Sequence, residues 1–380
     1  MFSFWEQQSL LHFDHVVVGA GITGLNTAIN LKEKFPGDRV LVLERGFFTT
    51  GASSRNAGFA CMGSVSELCD DLLHMNEREV YELFEWRKNG LDRLRKRLGD
   101  KALGYAERGS YELISPDEIP FLDHIDRLNK LLLPITGKPA FQLESNRIEE
   151  FGFSKKHTCA LIENTCEGEL DTGKMMRALT DKAMQVLVEI KTGAEVISYS
   201  DEGDKVFTYI EGPFATEPLV IRSKTLILCT NAFTGALMQD EEMKPGRGQV
   251  MITEPIANLP FKGIFHFDKG YYYFRELEGR VLFGGGRNLD ITGEETTDFG
   301  DSEHIQNDLE EKLRTIILPG IDFSIAQKWT GIMAFGPSKF PVVKPVSANV
   351  FAAFRLGGMG VALGSEVAAR VVALITANRQ

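Results

Sequence analysis

Gly19-Ala-Gly21-Ile-Thr-Gly24 sets three glycines at the spacing of a phosphate-binding turn. In such a turn the first glycine permits the tight bend, the second lets backbone approach a pyrophosphate, and the third lets a helix pack on a strand. His15-Val-Val-Val18 before it reads as a short buried strand, and Leu25 to Lys34 after it as a helix stopped by Phe35-Pro36-Gly37-Asp38. Val40-Leu-Val-Leu43 is a second buried strand ending in Glu44. The helix start, with Ile22 and Thr23, offers unpaired N–H groups and the positive dipole end to phosphates. Glu44, 20 residues after Gly24, can accept hydrogen bonds from both ribose hydroxyls, and its charge would repel a 2′-phosphate. Strand, turn, helix and spaced acid together predict dinucleotide binding. They do not choose between NAD and FAD.

The next segment, Gly51-Ala-Ser-Ser-Arg-Asn-Ala-Gly58, reads as a loop too polar and glycine-rich for regular structure. It resembles the GAS-x-RN-x-G segment of the D-amino-acid-oxidase superfamily of flavoproteins, nearest the sarcosine/glycine-oxidase branch. The resemblance recurs in the family's order along nearly the whole chain. Asp171 to Ile190 reads as a helix, followed by Gly193-Ala-Glu-Val196; Thr225 to Phe233 is a buried strand running into a polar turn. Pro245-Gly-Arg-Gly-Gln249 opens a further sheet, and Phe354-Arg-Leu-Gly-Gly-Met-Gly-Val-Ala-Leu-Gly364 closes the series.

The resemblance implies FAD as cofactor and an α/β fold, with a Rossmann-like FAD-binding domain interleaved with an α+β substrate domain built on an antiparallel sheet. It implies flavin or diphosphate contacts from Arg45, Ala52, Ser53, Ser54, Asn56, Gly58, Phe59 and Ala60. Val196 would meet the adenine, Thr230 and Asn231 would lie near the cofactor, and Gly357, Gly358, Met359, Gly360 and Val361 would close the flavin site. Val350 to Phe354 reads as a strand and Val361 to Thr376 as a helix, so the closing glycines sit at a helix N-terminus. Reduced flavin carries negative charge around N1 and C2=O, and a helix N-terminus aimed there favours reduction.

Around these segments the chain reads as two interleaved domains. Residues 1–65, 140–244 and 325–380 are expected in the FAD-binding domain, and 66–139 and 245–324 in the substrate domain. Ser66 to Leu98 is helix-rich, Glu118 to Leu133 is an amphipathic helix ended by Pro134, and Ser302 to Ile317 is another helix. Gln249–Thr253, Ile264–Phe267, Tyr271–Arg275 and Arg280–Phe283 are strand-like, with hairpin turns at Asp268-Lys-Gly270 and Glu278-Gly279.

The resemblance also implies the reaction: oxidation of a C–H bond beside an amine nitrogen, giving an imine that water hydrolyses. Hydride loss needs neutral amine, which a dry, aromatic site favours. Period-two alternation puts Tyr271, Tyr273 and Arg275 on one face, where they would line the substrate pocket. The alternative is a Tyr-rich strand packed on a helix, with Arg275 at the surface. Trp329-Thr-Gly-Ile-Met333 resembles the family stretch that reaches the pocket.

Several positions depart from that family. Met333 stands where glycine-oxidase-like members carry a carboxylate-binding arginine; a second such arginine would fall near Gly358, with Arg355 close by. Leu282 stands near the position of the sarcosine-oxidase lysine that assists reaction with O2. Together with Phe274 to Gly286, the Trp-x-Gly-x-Met run looks more like the γ-glutamylputrescine-oxidase branch. No covalent flavin link is expected, because Lys344 to Leu356 contains no cysteine; Cys61 is read either as lying near the ring or as a buried thiol. The seven histidines make no HxH or HExxH spacing, so no metal site is indicated. Ser53 and Ser54 lack a nucleophile-elbow context.

Composition agrees with a two-domain globular chain: 380 residues, 43% hydrophobic and 25% charged. The net charge of −11 argues against nucleic acid as partner. No uninterrupted apolar run predicts a membrane span, and Met1 to Glu6 has neither the basic start nor the apolar run of a signal peptide. Five cysteines without CxxC spacing point to a reduced, cytoplasmic protein. The expected partners are a small amine or amino-acid-like substrate and O2. The alternatives are a dehydrogenase of an α-hydroxy acid or amine that passes electrons to a quinone or protein, and a flavin-binding protein without turnover.

Overall fold

The computed structural model describes residues 3–211, 218–238 and 242–378. Val16, Val17 and Val18 are buried on both faces of their strand, the environment a parallel sheet covered on both sides provides. That strand, His12–Val18, pairs in parallel with Val40–Leu43 on one side and Leu219–Leu228 on the other. Val350–Phe354 and Glu189–Lys191 extend the parallel order outward, and Val342–Pro345 adds one antiparallel edge. The hairpin Val196–Asp201 and Val206–Ile210 pairs with the first half of Leu219–Leu228.

Helices cover one face, Thr172–Gln185 among them. Ile22–Lys34 is the crossover, and Gly360–Asn378 packs on it where Gly364 meets the Ile22 side chain. Glu77–Leu98 lies across the latter, with Gly90 against the Ala362 carbonyl; a Cβ there would overlap that oxygen. Among the described residues Gly360–Asn378 is the one helix long and apolar enough to cross a membrane, and here its apolar residues fill the core.

The second sheet has eight strands in the order Ile325–Phe335, Lys244–Thr253, Arg280–Gly285, Tyr272–Leu277, Ile264–Phe267, Ser110–Ile114, Ala160–Asn164 and Phe141–Leu143. All pairs are antiparallel except Ile264–Phe267 with Ser110–Ile114. One face buries a ring cluster in which Phe265 stacks on Phe274 at 4.7 Å. Strands 141–143, 160–164 and 325–335, which fall in stretches expected in the FAD-binding domain, pair into the second sheet. Edge strands recruit whatever segment matches their pattern, and nothing in the local sequence names the partner.

Local expectations differ at four places. The helix expected to reach Ile190 is Thr172–Gln185, capped by Asp171; Leu187, with φ of 65°, breaks it and the chain enters the strand Glu189–Lys191. Ala52–Arg55 forms one helical turn, because extended Gly51 starts it and the Ser54 hydroxyl binds the Thr49 carbonyl at 2.5 Å. The segment Pro116–His124 is a 3₁₀ helix leading into the α-helix Ile125–Thr136. Pro134 lies inside its last turn, and left-handed Gly137 ends it.

Candidate active site

A cavity of about 350 Å³ runs between the two sheets. At one end its wall is the glycine turn. Gly19 has φ of 101°, and a Cβ there would stand 2.7 Å from the Cys229 carbonyl oxygen. Gly21 begins the helix without a side-chain cap, and a Cβ on it would meet Ser53 Oγ at 2.8 Å. Ser53 Oγ accepts the Ile22 N–H at 3.0 Å. Gly19, Gly21, Ile22, Thr23 and Ser53 line the cavity, whereas Gly24 sits beneath, pressed on the Gly19 carbonyl.

Glu44 is nearly buried, and each oxygen takes one backbone N–H, Ala20 on Oε2 and Gly46 on Oε1, both at 3.0 Å. A carboxylate offers about four acceptor sites, so Glu44 retains capacity for hydroxyl donors in the cavity it lines. Arg45 lies over the Phe233 ring at 3.7 Å, and Val196, Thr230 and Asn231 complete this end. Asn231, with φ of 48°, accepts the Arg355 N–H through Oδ1 at 3.1 Å, tying its turn to the closing strand.

The GASSRNAG segment contributes Ala52, Ser53, Asn56 and, beyond it, Phe59 to the wall. Asn56 Oδ1 accepts the Gly58 N–H and the Thr172 hydroxyl, each at 2.9 Å. Ser54, Gly58 and Ala60, expected at the cofactor, do not line the cavity. The Ser54 hydroxyl donates back to the Thr49 carbonyl, Gly58 presses on the Leu170 carbonyl at φ of 77°, and Ala60 is buried in a two-stranded ladder opposite Gly168.

Two of the three expected substrate residues also lie elsewhere. Tyr273 lines the cavity; Tyr271 precedes the strand and is 39% exposed. Arg275 is buried, donating to the Leu170 carbonyl at 2.8 Å and to those of Ala57 and Gly58 at 3.3 Å, with Glu169 at 3.4 Å. The shared face is real, but two residues along a strand is about 6.7 Å, enough to carry Arg275 out of the cavity and under the loop. Trp329 likewise donates its indole N–H to the Arg55 carbonyl at 3.0 Å and clamps the loop, while Gly331, Ile332 and Met333 reach the wall. Arg355 is turned to the Phe340 carbonyl and Glu242.

The other end of the cavity faces the closing turn. Gly357, Gly358, Met359, Gly360 and Val361 all line it at the start of Gly360–Asn378, whose first-turn N–H groups have no intrahelical acceptor. A Cβ on Gly358 would stand 3.9 Å from Met333 Sδ, and Cys61 Sγ lies 3.5 Å from Met359 Sδ. Phe59 packs edge-on against His266 at 5.1 Å and Tyr273 at 5.6 Å. Burial pulls the His266 pKa down to about 4, although Glu67 opposes the shift, and burial pushes Tyr273 up to about 12. Burial also raises the Cys61 thiol pKa, helped by the Glu167 and Glu67 charges, which disfavours the thiolate.

Sequence reasoning missed Glu67, His266 and Val250 in this wall. Ser64-x-x-Glu67 carries a helix-start signal, and Ser64 Oγ does accept the Glu67 N–H at 3.3 Å, but a cap says nothing about a cavity. His266 and Val250 sit on strands whose inward face depends on sheet pairing.

Two helices that start on glycines in the cavity wall, a glycine turn that admits no side chain, and a buried acid with free acceptor capacity fit a dinucleotide with an attached ring system. A family model described as FAD dependent oxidoreductase matches residues 14–374. The chain is 21% identical to a probable oxidoreductase, OrdL, of Haemophilus influenzae, over 98% of this chain and 84% of that one. In fold it is similar to L-proline dehydrogenase from P. horikoshii (TM-score 0.76, 18% identity, 97% of this chain and 94% of that one). Glycine oxidase from Bacillus cereus is similar too (TM-score 0.75, 17% identity, 97% and 96% covered). The extent of the family match and the site it encloses place this chain in the DAO family of FAD-dependent oxidoreductases.

Proposed function

We propose that the chain oxidises an amine or N-substituted amino acid at the carbon beside nitrogen, giving an imine that water hydrolyses. The observation that carries this reading is the aromatic and apolar patch of Phe59, His266, Tyr273 and Met333, the last beside the closing turn. Burial that holds His266 uncharged despite Glu67 disfavours ammonium against that patch as well, and so favours the free amine there. The nitrogen lone pair of that amine expels hydride from the adjacent carbon, and the iminium left behind loses its N–H proton to become the imine. FAD, when bound, would supply the two-electron acceptor for that hydride. The similarity to proteins named for proline and glycine supports an amino-acid-like or amine substrate.

In this reading Gly19, Gly21, Ile22, Thr23 and Ser53 hold the diphosphate, and Glu44 the ribose. Arg45 and Val196 flank the adenine, and Asn56, Phe59 and the Gly357 to Val361 turn flank the flavin. Tyr273 is the substrate contact that persists from the expected set. It stays protonated, and no catalytic base is assigned, since hydride loss from a neutral amine requires none. The test is anaerobic addition of amines, N-methyl amino acids and α-hydroxy acids to the holoenzyme. Bleaching of flavin absorbance by an amine is expected; bleaching by hydroxy acids alone, or by nothing, overturns the reading.

Electrons then pass to O2, or, in a second form of the proposal, to a quinone or protein. Leu282 favours the second form. It is buried beside Ala57 and Val250, with Phe59 and Tyr273 packed on them, so this wall offers no cation to stabilise the anion O2 becomes on its first electron. Hydrogen peroxide formed in air at the rate of substrate oxidation would support O2 as acceptor. Turnover only with an added quinone would support the dehydrogenase.

A further inference from the structure

Resting on the amine-oxidation reading, we infer that the cleft takes a diamine: one end is the neutral amine that is oxidised, and the other is an ammonium that docks on Glu67. Glu67 belongs to the helix Val65–Asp71, is 9% exposed, and lines the cavity. Arg87 Nη2 at 3.4 Å and Lys339 Nζ at 3.3 Å both approach Oε1. Oε2 lies between Gly63 and Gly270, 3.6 Å from where a Cβ on either would stand, and Gly270 is another lining residue.

The cations therefore stand behind the carboxylate. Lys339 also pairs with Asp71 at 2.5 Å, and Arg87 donates to the Met62 carbonyl at 2.6 Å; none of these three charged side chains lines the cavity. Burial works against the Glu67 charge, but Lys339 and Arg87 hold its pKa below the usual carboxylate range. The cluster turns its negative end inward.

Among the described residues lining the cavity, the arginines are Arg45 and Arg55. Arg45 lies on Phe233, and Arg55 spends its donors on the Thr50 and Thr330 carbonyls at 2.9 Å. Among the described residues, the cations next to Glu67, Lys339 and Arg87, do not line the cavity and so are not placed to receive a carboxylate there. An anion there would face a like charge in a poorly solvated site, whereas an ammonium gains a charge-assisted hydrogen bond.

The test compares three probes with one reactive end and a cationic, apolar or anionic far end: a terminal diaminobutane, n-butylamine and γ-aminobutyrate. In wild-type holoenzyme the diamine should exceed butylamine in kcat/KM by about tenfold or more, with γ-aminobutyrate lowest. Glu67→Gln should bring diamine and butylamine within about threefold of each other. A preference for γ-aminobutyrate, or a diamine advantage unchanged by Glu67→Gln, overturns the inference while leaving amine oxidation standing.

A calorimetric titration with tetramethylammonium, which cannot be oxidised, reads Glu67 without turnover and separates the two failures. Binding to wild-type holoenzyme that is lost in Glu67→Gln supports the site. No binding, or equal binding to both, overturns it. Should Glu67→Gln not fold, Glu67→Asp keeps the charge on a side chain one methylene shorter. It should move the optimum to a diamine one methylene longer, and an unmoved optimum overturns the inference.

Discussion

Arg275 and Glu169 form a buried pair at 3.4 Å beneath the loop that carries Asn56 to Phe59. The arginine also holds the carbonyls of Leu170, Ala57 and Gly58, so it joins the second sheet to the segments that shape the cavity.

Arg275→Met should therefore act on stability rather than on substrate. Removing one partner of a buried pair costs about 3–5 kcal/mol, here with three carbonyls losing a donor. A large fall in Tm is expected, with KM at a permissive temperature unchanged. A raised KM at unchanged Tm would return Arg275 to the substrate site.

Glu44→Ala removes the acceptor of two backbone N–H groups and the proposed ribose ligand. Loss of hydrogen bonds to a charged group costs about 1.5–3 kcal/mol, or roughly 10- to 100-fold in FAD affinity. Equilibrium dialysis or flavin fluorescence measures it. Unchanged FAD affinity would remove Glu44 from the nucleotide site.

Gly21 and Gly24 should separate cofactor from fold. Gly21→Ala places its methyl on the cavity side against Ser53, so FAD affinity should drop by about tenfold or more with apoprotein stability little changed. Gly24→Ala pushes into the Gly19 carbonyl, an overpacking worth about 1–3 kcal/mol, and should lower the Tm of apoprotein and holoenzyme alike. Equal behaviour of the two variants would contradict the geometry.

Glu112 and Glu167 pin the segment before Glu67. Glu112 accepts the Val65 N–H at 2.9 Å, and Glu167 accepts those of Met62 at 2.5 Å and Gly63 at 3.0 Å. Burial pushes both carboxyls up to about 7, against the lowering effect of their hydrogen bonds. An unfolded glutamate titrates near about 4.3, so between there and about 7 the folded state binds more protons. Their contribution to stability therefore falls as pH rises through that window. Glu112→Gln or Glu167→Gln should make the decline of Tm between about pH 5 and 7 shallower; an unaltered slope would argue that neither carboxyl takes up a proton on folding.

The glycine turns and the spaced acid that line the cavity were legible because their determinants are local. Gly19, Gly21, Glu44 and the closing glycines act through backbone conformation and helix starts within a few residues of themselves, and a contiguous pattern records that. The same locality explains the misplacements. Ser54, Gly58 and Ala60 belong to the right segment, but which neighbour faces the cavity depends on one helical turn that the polar composition concealed. Along the strand from Tyr272, alternation put Tyr273 and Arg275 on one face correctly, yet the width of the cavity was not written there.

From the sequence alone followed the crossover with its glycine turn, the acid that follows it, and the glycine turn that opens the last helix, because steric allowance and dipole direction are properties of short segments. Only the tertiary structure decided that strands at 141–143, 160–164 and 325–335 join the second sheet, and that Glu67 lies beside Gly270 in the cavity wall. Such placements arise from pairing and burial among residues far apart in the chain, where the deciding free energy belongs to the contact and to neither segment by itself.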